Sequence, residues 1–444
     1  MIVDFQKVIG KIKPMHGVGQ PPFLGSDYSF CHYLKEADIP YARLHDVGGV
    51  YGGSRYVDIH NVFPCFEADE TDPASYDFFY TDLLLAAMME NDCPPIFRLG
   101  ETIENDQAKG YPARYINPPS DFGKWARICE HIIRHYTEGW ANGFHYGIVY
   151  WEIWNEPDNG FQGDQGPLKD RNMMWTGTPQ QYYELYAVTA KHLKNCFGET
   201  IKVGGYASSG FYAIFNRPEE YGVDTRFQKF YRERYELFLK FFEEFLDYVK
   251  AQQAPLEFFT WHSYSEVDRT LEMERFVERT LAKKGFHAEI HLNEWNNAHS
   301  AEGRGTSYAA AHAAAMLIGM HNTQAEMLCY YDSRIGPSVY GGMFNPITYQ
   351  PFCLYYGFKA FGELYKMGRQ AECVTEGEDV YAIAATNEQE QAVMVVNVGE
   401  PQTIVTNLEG FQAYLVDETH HLEPVELDCT CFTIGENEIL YFKK

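Results

Sequence analysis

Eight short apolar runs, each closing in polar or glycine-rich sequence, punctuate the first three quarters of the chain at 14–18, 41–47, 95–99, 148–154, 201–205, 258–264, 288–293 and 326–331. Helical patterns separate most of them, at 79–90, 122–135, 179–196, 228–250, 270–284 and 307–321. Strands that alternate with helices call for a parallel sheet, and eight such units close into a (β/α)8 barrel. The expected barrel spans 14–366.

Beyond residue 367 the texture changes. Short strand-like runs at 380–385, 392–398, 403–406, 412–416 and 439–442 are separated by Gly, Pro, Asn and Asp, with no helix of useful length. A small β-sandwich over 367–444 is the natural reading. The chain is thus expected to be an α/β protein, a (β/α)8 TIM barrel with a smaller C-terminal β-sandwich. Its 444 residues accommodate both.

A formal net charge of −26 argues against nucleic acid or an anionic membrane as a partner, since both demand a basic footprint. No stretch reaches about 18 uninterrupted apolar residues, so no membrane span is expected. The amino end, Met1-Ile2-Val3-Asp4, lacks a basic segment leading into an apolar run, and no secretory signal is visible. Ten cysteines are scattered without Cys-x-x-Cys spacing, which reads as reduced thiols of a cytoplasmic protein. His287-x-x-x-His291 mimics a metal spacing, but in a strand pattern residues four apart lie about 13 Å from each other. The glycine-rich 48–53 is followed by neither a lysine nor a P-loop helix, and reads instead as an adaptable loop beside a substrate. No metal or cofactor is expected.

Two motifs carry chemistry. Trp151-Glu152-Ile153-Trp154-Asn155-Glu156-Pro157 and Ile290-His291-Leu292-Asn293-Glu294-Trp295 each set a glutamate after an asparagine, where an apolar strand would emerge into a loop. On the strand count, Glu156 follows strand four and Glu294 strand seven, at the carboxyl face where barrel enzymes build their sites. A pair of carboxyls is what glycosidic cleavage needs. One protonates the departing oxygen while the other faces the anomeric carbon, and burial can tune a glutamate to either task. The bland alternative is a pair of surface glutamates beside strand ends.

The Trp154-Asn155-Glu156-Pro157 block, Asn293-Glu294-Trp295, and His262-Ser263-Tyr264 between them resemble the retaining glycosidases of the (β/α)8 clan A. Within that clan the chain is most similar to glycoside hydrolase family 39, which contains β-xylosidases and α-L-iduronidases. Arg43-x-His45, Trp175-x-Gly177-Thr178-Pro179, Tyr182-Tyr183-Glu184-Leu185-Tyr186 and Val203-Gly204-Gly205 fit it, and the similarity runs from about residue 15 to 365. The resemblance implies a retaining exo-glycosidase with Glu156 as acid then base and Glu294 as nucleophile. It also implies that Asn155 donates to the sugar 2-hydroxyl, that Tyr264 hydrogen-bonds the nucleophile, and that residues 1–13 complete the sandwich with an edge strand.

Strand alternation refines the list. His262 and Tyr264 share one face, as do Arg43 and His45, so all four can point into the barrel mouth. An inward Arg43 would favour an ionised nucleophile, and His45 would donate to a sugar hydroxyl. Glu152, Glu101 and Asp46 are further hydroxyl ligands by position. Among the tryptophans, Trp295 and Trp175 are the candidate sugar platforms, and Trp151, Trp154 and Trp261 read as core. Arg304 and Arg334 would clamp a uronic acid if the substrate carried one.

The final barrel strand reads Cys329-Tyr330-Tyr331-Asp332-Ser333, where family β-xylosidases carry a tryptophan and then an acidic pair. The substrate is therefore expected to be a β-xyloside or related pentoside, with an arabinosidase, galactosidase or uronidase as alternatives, and a non-catalytic carbohydrate-binding barrel as another. The insertion at 216–240 could cover the cleft or mediate contact between subunits of a homo-oligomer.

Overall fold

The computed structural model describes residues 1–25, 28–47, 56–102, 115–159, 174–229, 233–297, 303–338 and 340–444. The first strand, β1 (Ile2–Lys11), precedes a closed barrel of eight strands: β2 (Gly17–Gly19), β3 (Ala42–Leu44), β4 (Pro95–Leu99), β5 (Tyr150–Ile153), β6 (Lys202–Ser208), β7 (Phe258–Ser263), β8 (Glu289–Trp295) and β9 (Ala325–Tyr330). Neighbours pair in chain order, all parallel, and β9 closes on β2. Helices Phe79–Met89, Phe122–Glu138, Pro179–Phe197, Glu233–Ala251, Val267–Lys284 and Ser307–His321 fall where the periodicity predicts them. The Pro179 helix starts on a complete capping box, with Thr178 and Gln181 exchanging side-chain and backbone bonds and Pro at the first turn.

Two strand boundaries differ from the sequence expectation in a way that matters. Glu294 does not follow its strand but lies on it, because pairing continues through His262↔Glu294 and Ser263↔Trp295. Glu156 lies three residues past β5, on a chain that has left the sheet. Its neighbour Trp154 and Glu156 itself have φ of 72° and 43°.

The amino end of the barrel is plugged. Ile96, Tyr150, Phe258, Met327 and Cys329, from four strands, form a buried layer across the interior. Gly204 permits the local approach of β6 to β7, since a Cβ there would sit 2.1 Å from the Phe258 carbonyl oxygen. With that end filled, polar side chains gather at the other.

The C-terminal part is a seven-stranded antiparallel sheet in the order β1, β10 (Arg369–Val374), β11 (Val380–Thr386), β12 (Gln391–Asn397), β17 (Glu438–Lys443), β14 (Gln412–Val416), β15 (His421–Val425), with a two-stranded sheet of β13 (Gln402–Val405) and β16 (Cys431–Ile434). Alternation divides it cleanly. Val393, Val395, Leu440 and Phe442 face a core shared with Ile404 and Phe432 of the small sheet. Met394, Val396, Ile439 and Tyr441 turn the other way, into the barrel's own core. The sequence reading missed β10, β15 and β16, which are short or polar on exposed faces. Strand β1 pairs antiparallel with β10 at the sheet edge.

One buried acid sits outside the carboxyl face. Glu274, on the Val267–Lys284 helix, is fully buried and neither carboxyl oxygen has a hydrogen-bond partner. Burial first, then Glu278, raises its pKa to about 7, against the opposing pull of Lys13 and Arg275. The folded state therefore holds a proton that the unfolded chain releases near 4.5, so stability is full at low pH and is lost as pH rises from there through about 7. Glu274→Gln is expected to raise the melting temperature at pH 8 by the equivalent of up to about 3 kcal/mol, and to change it little at pH 4. Thermal melts at both pH values check this; an equal effect at each would show that the charge is not the cause.

Candidate active site

Arg43 organises the barrel mouth. It is inward on β3 and almost wholly buried, and its guanidinium reaches three partners: Nε donates to Glu152 Oε2 at 2.8 Å, Nη1 to Glu294 Oε2 at 3.0 Å and Nη2 to Asn155 Oδ1 at 2.6 Å. The rigid fork suits a bridging role that a point charge could not fill. Glu152, 0% exposed, has its other oxygen taken by Asn293 Nδ2 at 2.6 Å. It is a structural counter-ion, not the hydroxyl ligand its position suggested. Because an arginine only donates, Asn155 must turn its oxygen to Arg43, which aims its amide nitrogen elsewhere.

The two candidate carboxylates face each other across His262. Glu156 and Glu294 are 8% and 7% exposed, while His262 is fully buried. His262 Nδ1 lies 2.7 Å from Glu156 Oε1 and 3.7 Å from Glu294 Oε1. Tyr264 donates its hydroxyl to Glu294 Oε1 at 2.7 Å, and Asn159 Nδ2 donates to Glu156 Oε2 at 2.7 Å. One carboxylate oxygen of each glutamate and a His262 nitrogen lie within 4.8 Å of one another. Three such atoms could also hold a metal ion, but the Arg43 guanidinium on Glu294 already supplies the positive charge there.

The electrostatics follow from this crowding. Burial pushes Glu156 up, but the His262 hydrogen bond and charge, the Asn159 amide and Arg43 outweigh it and hold its pKa below the ordinary glutamate value. Burial pushes His262 down, yet Glu294, then Glu156, raise it above the usual imidazole value. Tyr264 is raised well above the phenol range by burial and Glu294, and so stays a donor.

The rest of the expected set divides. His45 is inward and buried, pairs through Nε2 with Asp46 Oδ2 at 3.2 Å, and keeps Nδ1 without a partner. Burial and then Arg98 and Arg43 hold it low, hence neutral. Asp46 accepts from Thr102 and from the Tyr331 hydroxyl at 3.0 Å. Glu101 is tied to His60. Arg304 donates to the Ser338 carbonyl, and Arg334 sits 3.5 Å from Asp332, so both basic groups face protein acceptors.

Trp295 and Trp175 need correction. Both are 0% exposed. Trp295 follows the inward Glu294 on β8, so alternation turns its ring outward to meet Tyr330 edge-on at 5.2 Å. Trp175 packs edge-on against Trp154 and Tyr182 and donates Nε1 to the Thr178 carbonyl at 3.0 Å. Neither ring offers a face to a sugar. His291, half of the rejected metal spacing, stacks on Phe258. The glycine-rich 48–53 lies outside the described residues. Of the insertion at 216–240, Arg217 bridges Glu220 and Glu236, and Phe227 packs on Phe215.

The sequence reading overlooked Asn159 and Asp158. Their signal was present, since they continue the motif as Glu156-Pro157-Asp158-Asn159, a turn composition that brings side chains back toward its first residue.

Residues 26–335 match the family model described as Glycosyl hydrolases family 39. A β-xylosidase of Caldicellulosiruptor saccharolyticus is 23% identical over 273 residues, 56% of this chain and 47% of that protein. The chain spans about half the length of the curated relatives it matches. A glucosidase from Croceicoccus marinus superposes with a TM-score of 0.76 at 20% identity, over 100% of this chain and 98% of that one. A GH39 β-xylosidase from Caulobacter crescentus gives 0.69 at 16% identity, over 100% and 98%. At these identities the structural likeness shows the fold.

Proposed function

The chain belongs to glycosyl hydrolases family 39, and from that premise we propose that it is a retaining glycosidase in which Glu294 is the nucleophile and Glu156 the acid and then the base. The observation that carries the reading is the approach of the two carboxylates to within 4.8 Å at their nearest oxygens. Retaining enzymes set their carboxyls about 5–5.5 Å apart, whereas inversion needs about 6.5–9.5 Å to admit a water.

The roles follow from the surroundings of each group. Glu294 is gripped by Arg43 and Tyr264, which fix its aim. Its oxygen attacks the anomeric carbon as the glycosidic bond breaks and the departing oxygen takes a proton from Glu156. A glycosyl ester of Glu294 results. Water, losing its proton to Glu156, then displaces the ester with the original configuration restored.

Glu156 must carry a proton when the substrate arrives, although His262 holds the free carboxylate low. The proton donor is accordingly the Glu156–His262 pair, which titrates as a unit. An aglycone that removes solvent from Glu156 disfavours its anion, and the proton moves from Nδ1 to the carboxylate.

The substrate is a β-xyloside or related pentoside on the strength of the family and its β-xylosidase relatives. The Tyr331-Asp332 wall stands where an acidic pair would hold xylose, which keeps another terminal sugar open. Arg334 beside Asp332 and Arg304 on a carbonyl weigh against a uronic acid.

A panel of 4-nitrophenyl glycosides tests the reading, with proton NMR of the first anomer formed. β-Xyloside cleavage yielding β-xylose first is expected. Release of the α-anomer from a β-glycoside would mean inversion, and inertness on the whole panel would favour a binding barrel.

A further inference from the structure

Asp158 is a buried acid that the reaction above leaves unused. It lies two residues beyond Glu156, is 2% exposed, and is gripped by the chain leaving β6. Ser208 Oγ donates to Oδ2 at 2.9 Å, Ser209 Oγ to Oδ1 at 2.8 Å, and the Ser209 N–H lies 3.2 Å from each oxygen. The same stretch holds the backbone of the acid, since Glu156 N donates to the Ala207 carbonyl at 3.0 Å.

What these bonds restrain would not hold itself. Trp154 and Glu156 adopt left-handed backbone, at φ of 72° and 43°, which residues with side chains keep only where their surroundings impose it. The turn closes through Asn159, whose N–H donates to the Glu156 carbonyl at 2.9 Å and whose side chain holds the Glu156 carboxylate. Asp158 sits inside that turn.

We propose that Asp158 is the positioning residue of the proton donor: it clamps the Glu156–Asn159 turn to the end of β6, and as an anion it helps keep the proton on Glu156. The proposal rests on the reading of Glu156 as acid. Burial, then the neighbouring Glu156, pushes Asp158 up to about 7, so it gains its charge as the solution turns alkaline. The charged groups facing Glu156 are His262 from β7, Glu294 from β8 and Arg43 from β3. Around Asp158 itself stand the two serines and the buried phenols of Tyr182, Tyr183 and Tyr206. A second anion beside Glu156 disfavours its ionisation. Removing that anion should therefore lower the pKa of the Glu156–His262 pair and draw the basic limb of kcat/KM acidward.

The test compares Asp158→Asn and the milder Ser209→Ala with wild type in the full chain, on the methyl and 4-nitrophenyl glycosides of the sugar the wild type cleaves best. A poor leaving group depends on a well-placed acid and a good one does not. Asp158→Asn should lower kcat/KM about 10- to 100-fold for the methyl glycoside, under about 5-fold for the nitrophenyl one, and shift the basic limb down by about half to one pH unit. Ser209→Ala should do the same to a smaller degree, and carries the test if Asp158→Asn does not fold. Equal losses on both substrates with an unmoved basic limb would reduce Asp158 to a support of the fold, and wild-type behaviour would overturn the proposal outright. A wild type that cleaves no glycoside overturns the proposed function and this inference together; an active wild type with leaving-group-independent losses overturns this inference alone.

Discussion

Replacing Glu294 with alanine is expected to lower kcat by about 10⁵-fold or more on every glycoside, a loss of about 7 kcal/mol of transition-state stabilisation. Among the described residues, the acid of the adjoining Arg43 network cannot stand in for it. Glu152, the nearest acid on the neighbouring network, is committed to Arg43 and Asn293 and has no exposed surface. Glu156→Ala should behave differently, losing about 10²- to 10⁴-fold on substrates with poor leaving groups and little on the first step with a dinitrophenyl leaving group. Azide should then restore turnover of Glu156→Ala and yield a β-glycosyl azide from a β-glycoside, because the small anion enters from the face the acid has vacated. Steady-state kinetics and product NMR decide between the roles. A β-glycosyl azide from Glu294→Ala, with the inverted α-azide from Glu156→Ala, would require them to be exchanged.

The second large effect is on stability. Arg43→Met should destabilise the protein by about 3–5 kcal/mol, since it strands Glu152 and Glu294 in a buried site without a cation. Activity should fall at least about 100-fold as Glu294 and Asn155 lose their common anchor. Arg43→Lys keeps a positive charge but not the three-way fork, so it is expected to recover most of the stability and little of the activity. Adding Glu152→Gln to Arg43→Met should return part of the lost stability by removing the stranded charge. Denaturant melts of the four proteins check this. An Arg43→Met variant as stable as wild type would mean that the network contributes nothing net.

Both expectations depend on contacts that differ in how far they could be read in advance. That Arg43 points inward is a local matter of alternation on a short strand, and so is the pairing of His262 with Tyr264 on one face. Alternation properly applied would also have turned Trp295 away from the mouth, because its neighbour Glu294 faces in. The error there lay in ending the strand at Asn293, a boundary decided by pairing with β7 and β9. The short strands β10, β15 and β16 were missed for a similar cause. Their residues face solvent or a thin second sheet, and so lack the strong period that marks a fully buried strand.

By itself the sequence determined the alternation of strand and helix that makes a barrel, the β-rich C-terminal part, and two glutamates at the ends of apolar runs, because each is a pattern written within a dozen neighbouring residues. Tertiary structure alone decided who meets whom. Arg43 reaches Glu294 across 251 positions of chain, and His262 reaches Glu156 across 106. Only closure of β3, β5, β7 and β8 into one ring brings them within hydrogen-bond range, and only there, away from water, do an imidazole and a guanidinium act on the proton that Glu156 holds.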